Sequence, residues 1–167
     1  MAFQSCFREI LPTQPSRAVG LWLKHVFLSK PLLFRPGFHI ICKSELQRKA
    51  VDAILQEPLH PELIHKHACH LVGVKTRVGF VGVEEILVET SIEESRISYA
   101  FSGGLASMPV RNHVGHVLFE KKGQELTEMI WKMNYDTFAV PGSAVDLMFR
   151  GTIPIFVARV KEACAAE

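Results

Sequence analysis

Between Arg96 and Asp136 apolar residues recur at every second position. Ile97, Tyr99 and Phe101 share one side of the segment ISYAF, and Met129, Trp131, Met133 and Tyr135 share one side of TEMIWKMNY. Period-two patterning of this kind predicts strands with one large-aromatic face. The opposite side of TEMIWKMNY carries Glu128, Lys132 and Asn134, with Ile130 as an apolar exception. One face is wet and the other covered. Asn112 to Glu120 supplies a third strand between them, with turns at Gly103-Gly104, Met108-Pro109 and Lys121-Lys122-Gly123. The product is an antiparallel meander whose inner face needs a cover.

Upstream, Phe3 to Leu11 is compatible with a strand stopped by Pro12 and Pro15. Ser16 then caps a helix with Val19, Trp22, Leu23, Val26 and Phe27 at helical spacing, ended by Pro31. Leu32, Leu33 and Phe34 read as a short helix or an apolar loop packed on the sheet, and Phe38 to Lys43 as a strand. Ser44-Glu45-Leu46-Gln47 has the form of a capping box opening a helix to about Gln56. The β pattern returns from Leu71, with LVGVKTRVGF, a turn at Val81-Gly82, VEEILVET, and an acidic turn from Ser91 to Ser95. Alternation sends one of Glu84 and Glu85 inward, where it needs a partner or a raised pKa; Arg77 on the preceding strand is the natural candidate. After the Pro141-Gly142 turn, Ser143 caps an amphipathic AVDLMFR segment that Gly151 interrupts. Pro154 then fits the first turn of a renewed helix from Thr152 to about Cys164, which carries Ile155, Phe156, Val160 and Ala163. That helix is the expected cover.

Length changes this picture little: 167 residues suit a single domain able to bury a substantial core. A hydrophobic content of 48% against 22% charged excludes a disordered chain, and a net charge of +2 gives no general argument for a nucleic-acid partner. Eleven Phe against two Tyr and two Trp predict an interior rich in rings without polar handles. The four dispersed cysteines, Cys6, Cys42, Cys69 and Cys164, read as buried free thiols. No run approaches the ~18 apolar residues of a membrane span, so stable membrane insertion is not expected and a cytoplasmic location is. The basic bias from Met1 to Lys43 has the charge character of an organelle-targeting peptide, but its pattern fits a folded strand and helix better. His65, His67, Cys69 and His70 invite a zinc reading. In a helix, however, His65 and His67 point about 200° apart, and in a strand His70 turns away. The segment reads as a polar connection, with no metal or other cofactor implied.

The order of strand, helix, variable segment, antiparallel run and C-terminal helix resembles the helix-grip fold of the SRPBCC superfamily. That superfamily includes START lipid-transfer domains, the birch-pollen-allergen family and the polyketide cyclase/dehydrase group. The likeness is carried by TRVGF, VEEILVET, RISYAFSGG, PVRNHVGHVLFE and LTEMIWKMNYD, which match the strand succession of the cyclase-like branch. It covers about a third of the chain well and the remainder by element order. The resemblance implies an α+β domain over residues 1–167, a curved antiparallel sheet wrapped around a long C-terminal helix, with an atypical helical, His-rich insertion at about 44–69. The breaks at Gly151 and Pro154 imply a shortened or gated cavity.

Carried over by position, the ligand-binding candidates on the sheet are Tyr99, Phe101, Phe119, Trp131, Met133 and Tyr135. On the helix they are Leu147, Met148, Ile155 and Phe156. His113 and Asn112 would offer hydrogen bonds at one mouth and Arg77 a charge at the other. The first functional expectation is binding, or transport, of a small hydrophobic molecule such as a lipid or polyketide-like compound. The alternative is a cyclase/aromatase-type enzyme in which His113 and Glu85 with Arg77 move a proton. The third is a closed core that binds nothing.

Overall fold

The computed structural model describes residues 2–30, 35–56, 58–78, 82–103 and 109–166. Seven strands form one antiparallel sheet: β1 (Ala2–Leu11), β2 (His39–Ile41), β3 (Lys75–Val78), β4 (Val83–Ser91), β5 (Arg96–Gly103), β6 (Val110–Lys121) and β7 (Thr127–Thr137). Their order is β1-β7-β6-β5-β4-β3-β2. The start of the basic N-terminal stretch is folded into the sheet: β1 pairs with β7 along its whole length, from Ala2 opposite Asp136 to Leu11 opposite Thr127. The expected meander is β5-β6-β7, each strand antiparallel to the next.

The cover consists of helices α1 (Pro15–Trp22) and α4 (Gly142–Ala165), and one hydrophobic core joins them to the inner face of the sheet. Pro15 occupies the first turn of α1 and the cap position is Gln14, so Ser16 is not the cap; a missing N–H costs nothing in a first turn. The helix continues as a π-helical turn over Leu23–Phe27, marked by the Leu28 N–H donating to the Leu23 carbonyl at 2.8 Å. Expectations for Leu32, Leu33 and Phe34 lie outside the described residues.

Between β2 and β3 run α2 (Glu45–Leu55), α3 (Pro61–His67) and a 3-10 turn (Ala68–Leu71). The capping box is real but shifted: Ser44 Oγ accepts from the Gln47 N–H at 3.1 Å, while Gln47 Oε1 accepts from the Lys43 N–H at 2.6 Å rather than from Ser44. The His-rich segment, expected as a polar connection within a helical insertion, forms helical turns. It buries Ile64, Ala68 and Leu71 and turns its histidines outward or sideways. Gly20 of α1 permits this packing, because a methyl group there would overlap the Ile64 side chain.

The C-terminal helix is continuous through Gly151 and Pro154, contrary to the sequence expectation of two segments. Pro154 cannot satisfy the Arg150 carbonyl, but Arg150 is exposed, so water can serve that group. Thr152 Oγ1 also donates to the Met148 carbonyl at 3.0 Å within the same stretch. All four cysteines are free, and only Cys164 is buried as expected; Cys6 and Cys69 are exposed.

Candidate functional site

A partly enclosed cavity of about 300 Å³ separates the sheet from its helical cover. Tyr99, Phe101, Trp131 and Met133 line it from β5 and β7, and Trp22, Val26, Phe27 and Lys30 from α1 and the π-helical turn. From α4 come Met148, Phe149, Thr152, Ile153 and Phe156. The wall is mainly apolar and aromatic, and four polar features interrupt it.

Strand register supplies the first. Thr76 lies opposite Glu85 and Arg77 opposite Glu84, so alternation sends Thr76 and Glu85 inward and the other pair outward. The partner of Glu85 is Lys30, whose Nζ donates to Oε2 at 2.6 Å and to the Val26 carbonyl at 3.0 Å. Thr76 Oγ1 adds a third contact at 3.3 Å. Lys30 is 3% exposed and its Nζ stands 5.5 Å from the centre of the Phe156 ring. The π-helical turn sets up this position. Arg159 of α4 donates to the carbonyls of His25 at 2.7 Å and Ser29 at 2.9 Å, tying the end of that segment to α4.

Tyr99 is the second feature. Its ring lies across Gly115 of β6, directly opposite in register, where a methyl group would overlap it. Trp131 Nε1 donates to the Tyr99 hydroxyl at 2.9 Å and fixes its direction. Burial foremost, then the Glu85 carboxylate, holds the phenol well above its ordinary pKa, against the smaller effect of the Trp131 bond. The group is therefore a neutral donor.

His113 is the third. Asn112 adopts φ 51°, in a break of register between Arg111 and Val114. Asn tolerates this left-handed conformation better than most residues. The extra residue resets the alternation, so that Val110 and His113 are both buried. The His113 ring stacks on Phe101, with centroids 3.8 Å apart and planes at 12°. Among the described residues neither ring nitrogen has a hydrogen-bond partner. Burial lowers its pKa to about 4, with the Glu85 carboxylate opposing, so the imidazole is neutral at neutral pH. Trp22 is the fourth feature: its indole N–H is buried and has no partner among the described residues, while the ring packs against Trp131 at 5.4 Å and Tyr99 at 5.7 Å.

Several sequence-based placements need correction. Arg77 is half exposed on the outer face, 4.0 Å from Glu84, and takes no part in the cavity. Asn112 is exposed and donates to Asp136 at 2.9 Å. Leu147, 71% exposed, and Ile155, 40% exposed, lie on the outer side of α4. Phe119 is buried in the core away from the cavity, and Tyr135 packs on Phe3 and Phe149 with its hydroxyl 3.1 Å from Ser5 Oγ. Tyr99, Phe101, Trp131, Met133, Met148 and Phe156 face the cavity, as do His113 and Glu85. Lys30, Trp22 and Phe149 had no place in the sequence-derived set.

His67 and His70 are neighbours, with ring centroids 6.4 Å apart. Among the described residues no three His, Cys, Asp or Glu side chains converge as a metal site, and no helix is long and apolar enough to cross a membrane.

The fold is shared with many solved structures at low sequence identity. Ara h 8.0201 is 10% identical, with a TM-score of 0.64 over 100% of both chains. A point mutant of norcoclaurine synthase from Thalictrum flavum, in complex with a transition-state analogue, is 11% identical, with a TM-score of 0.65 over 99% of this chain and 96% of that one. The di-domain ARO/CYC protein BexL of the BE-7585A biosynthetic pathway is 11% identical, with a TM-score of 0.62 over 96% of this chain and 46% of that one. No protein-family model and no curated protein sequence matches the chain. An open antiparallel sheet closed over a long C-terminal helix, shared with these neighbours, is the helix-grip α+β fold.

Proposed function

We propose that this protein binds a small, largely apolar molecule in the cavity between the sheet and α4. The observation that carries this reading is the wall itself: about 300 Å³ lined by rings and aliphatic side chains, with a few polar residues among them. Ligand sites generally have this composition, with apolar area supplying affinity and isolated polar groups fixing orientation. A core that binds nothing would be expected to close over such a space. Structural neighbours that include a synthase and an ARO/CYC protein are consistent with a ligand-holding use of the fold.

A second reading, proton transfer in a cyclase-type reaction, is favoured by the neutral, unpartnered His113 beside the cavity. The trio of His113, Glu85 and Arg77 expected from sequence is not assembled, since Arg77 faces solvent and Glu85 is held by Lys30. Native mass spectrometry of the purified protein tests the proposal. A co-purifying apolar molecule, released unchanged on denaturation, is the expected result. No retained molecule, together with no thermal shift from a panel of lipids and aromatic compounds, rejects binding. Conversion of a retained or added compound to a new product, lost in His113→Ala, favours the enzyme.

A further inference from the structure

The cavity holds more hydrogen-bond donors than the protein pairs. Trp22 Nε1 and both nitrogens of His113 are buried without a partner among the described residues. The Tyr99 hydroxyl accepts from Trp131 Nε1, and its own proton meets no acceptor among the described residues. The three rings form one corner, with the Tyr99 ring centre 5.7 Å from that of Trp22 and 5.5 Å from that of His113. Protein interiors pair nearly all such groups, so two unpaired side chains beside a half-satisfied hydroxyl in one cavity mark where an atom from elsewhere belongs.

Donor chemistry says which atom. An indole N–H only donates, a phenol proton seeks an acceptor, and a neutral imidazole offers one donor and one acceptor. The excess is in donors, so the missing partner is an acceptor oxygen. Charge says more. Lys30 and Glu85 are the only charged side chains among the described lining residues, and they are matched to each other at 2.6 Å. An incoming carboxylate would be stripped of water with no cation left free to meet it and with Glu85 already in place. A bare hydrocarbon would leave the three groups unsatisfied.

Resting on the cavity-binding reading, we infer that the Trp22–Tyr99–His113 corner is a subsite for the uncharged carbonyl oxygen of an apolar, ring-containing compound. The rings of Phe101 and Trp131 flank that corner and complement a flat body attached to the carbonyl. The ligand class is therefore an apolar ketone, aldehyde or quinone rather than a fatty-acid anion or an amine.

Three compounds of nearly one shape test this: 2-acetylnaphthalene, its hydrocarbon isostere 2-isopropenylnaphthalene, and the 2-naphthoate anion. Binding to the full chain is followed by calorimetry and by the fluorescence of Trp22 and Trp131. The ketone is expected to bind about tenfold tighter than the isostere, the factor of one well-made hydrogen bond, and naphthoate weakest. In His113→Phe the ratio of ketone to isostere affinity should fall toward one, whatever happens to the absolute values. In the wild-type protein the carbonyl stretch of the bound ketone should lie below its value in hexane, a readout that needs no variant. Equal affinities for ketone and isostere, an unshifted stretch, or tightest binding of naphthoate would overturn the subsite while leaving cavity binding intact. No binding of any of the three by folded protein rejects both.

Discussion

Two histidines three residues apart on β6 lie on opposite faces of the same sheet. His116, on the outer face, sits with Nδ1 2.9 Å from Ser98 Oγ, which also donates to Glu89 Oε2 at 3.2 Å. Arg96 completes that group by bonding Glu89. His113, on the inner face, is 2% exposed, and its ring nitrogens have no hydrogen-bond partner among the described residues. The same contrast separates the neighbouring carboxylates. Glu84 lies outside, 3.8 Å from Lys75 and 4.0 Å from Arg77, whereas Glu85 lies inside against a buried lysine at 2.6 Å. The outer face spends its polar groups on one another. Among the described residues the cavity side leaves the Trp22 and His113 ring nitrogens unmatched, whereas the one unmatched nitrogen of the outer cluster, Arg96 Nε, belongs to a guanidinium that already bonds Glu89.

The largest effect should come from Lys30. Lys30→Met leaves the Glu85 carboxylate in a largely apolar wall with only Thr76 beside it, and a broken buried pair costs about 3 kcal/mol. Arg77→Met, the matching change outside, should cost less than about 0.5 kcal/mol, because exposed pairs contribute little. Urea denaturation of both variants measures the difference. The double variant Lys30→Met, Glu85→Gln should recover most of the loss. Equal costs for Lys30→Met and Arg77→Met would mean that the two faces do not differ in this way.

Lys30 also shows where the sequence becomes opaque. The strands β5 and β7 are legible because alternation alone assigns Tyr99, Phe101, Trp131 and Met133 to one face. The sign of Glu85 is not, because it depends on register: only the pairing of Thr76 with Glu85 turns Arg77 outward. Lys30 acquires its place from a π-helical turn and from Arg159, a residue distant in sequence, and no local pattern encodes either. The inward face of α4 was present in the sequence and hidden by punctuation. Val145, Met148, Phe149, Thr152, Ile153 and Phe156 follow helical spacing without interruption. Treating Gly151 and Pro154 as breaks blurs the phase and admits Leu147 and Ile155 beside Met148 and Phe156. His113 points inward because of a single left-handed residue, Asn112, which a strand pattern does not announce.

The next effect is a dependence of stability on pH. The folded-state pKa of His113, about 4, lies below the ordinary value of 6.5, so on acidification the unfolded chain takes up the proton first. This contribution therefore destabilises the fold as pH falls from about 6.5 toward 4 and is absent at neutral pH. Between pH 7.5 and pH 5 it amounts to about 2 kcal/mol. The check is urea denaturation at the two pH values for wild type and His113→Phe. The variant should lack about that much of the wild-type loss. An identical loss in both would show that His113 is not held neutral by burial.

The smallest effect is the most direct comparison, since it makes one substitution on both faces. Replacing His113 by Phe removes two unsatisfied nitrogens and preserves a flat ring against Phe101, so the unliganded protein should gain about 1 kcal/mol. Replacing His116 by Phe removes the bond to Ser98, a buried residue that keeps only Glu89, and should cost about 1 kcal/mol. Opposite signs from the same change, read by urea denaturation at pH 7.5, where neither result involves protonation of His113, would locate functional polarity inside and structural polarity outside. A loss at both positions would mean that the His113 nitrogens are already satisfied in the free protein, and the unmatched corner of the cavity would lose its meaning as a ligand site.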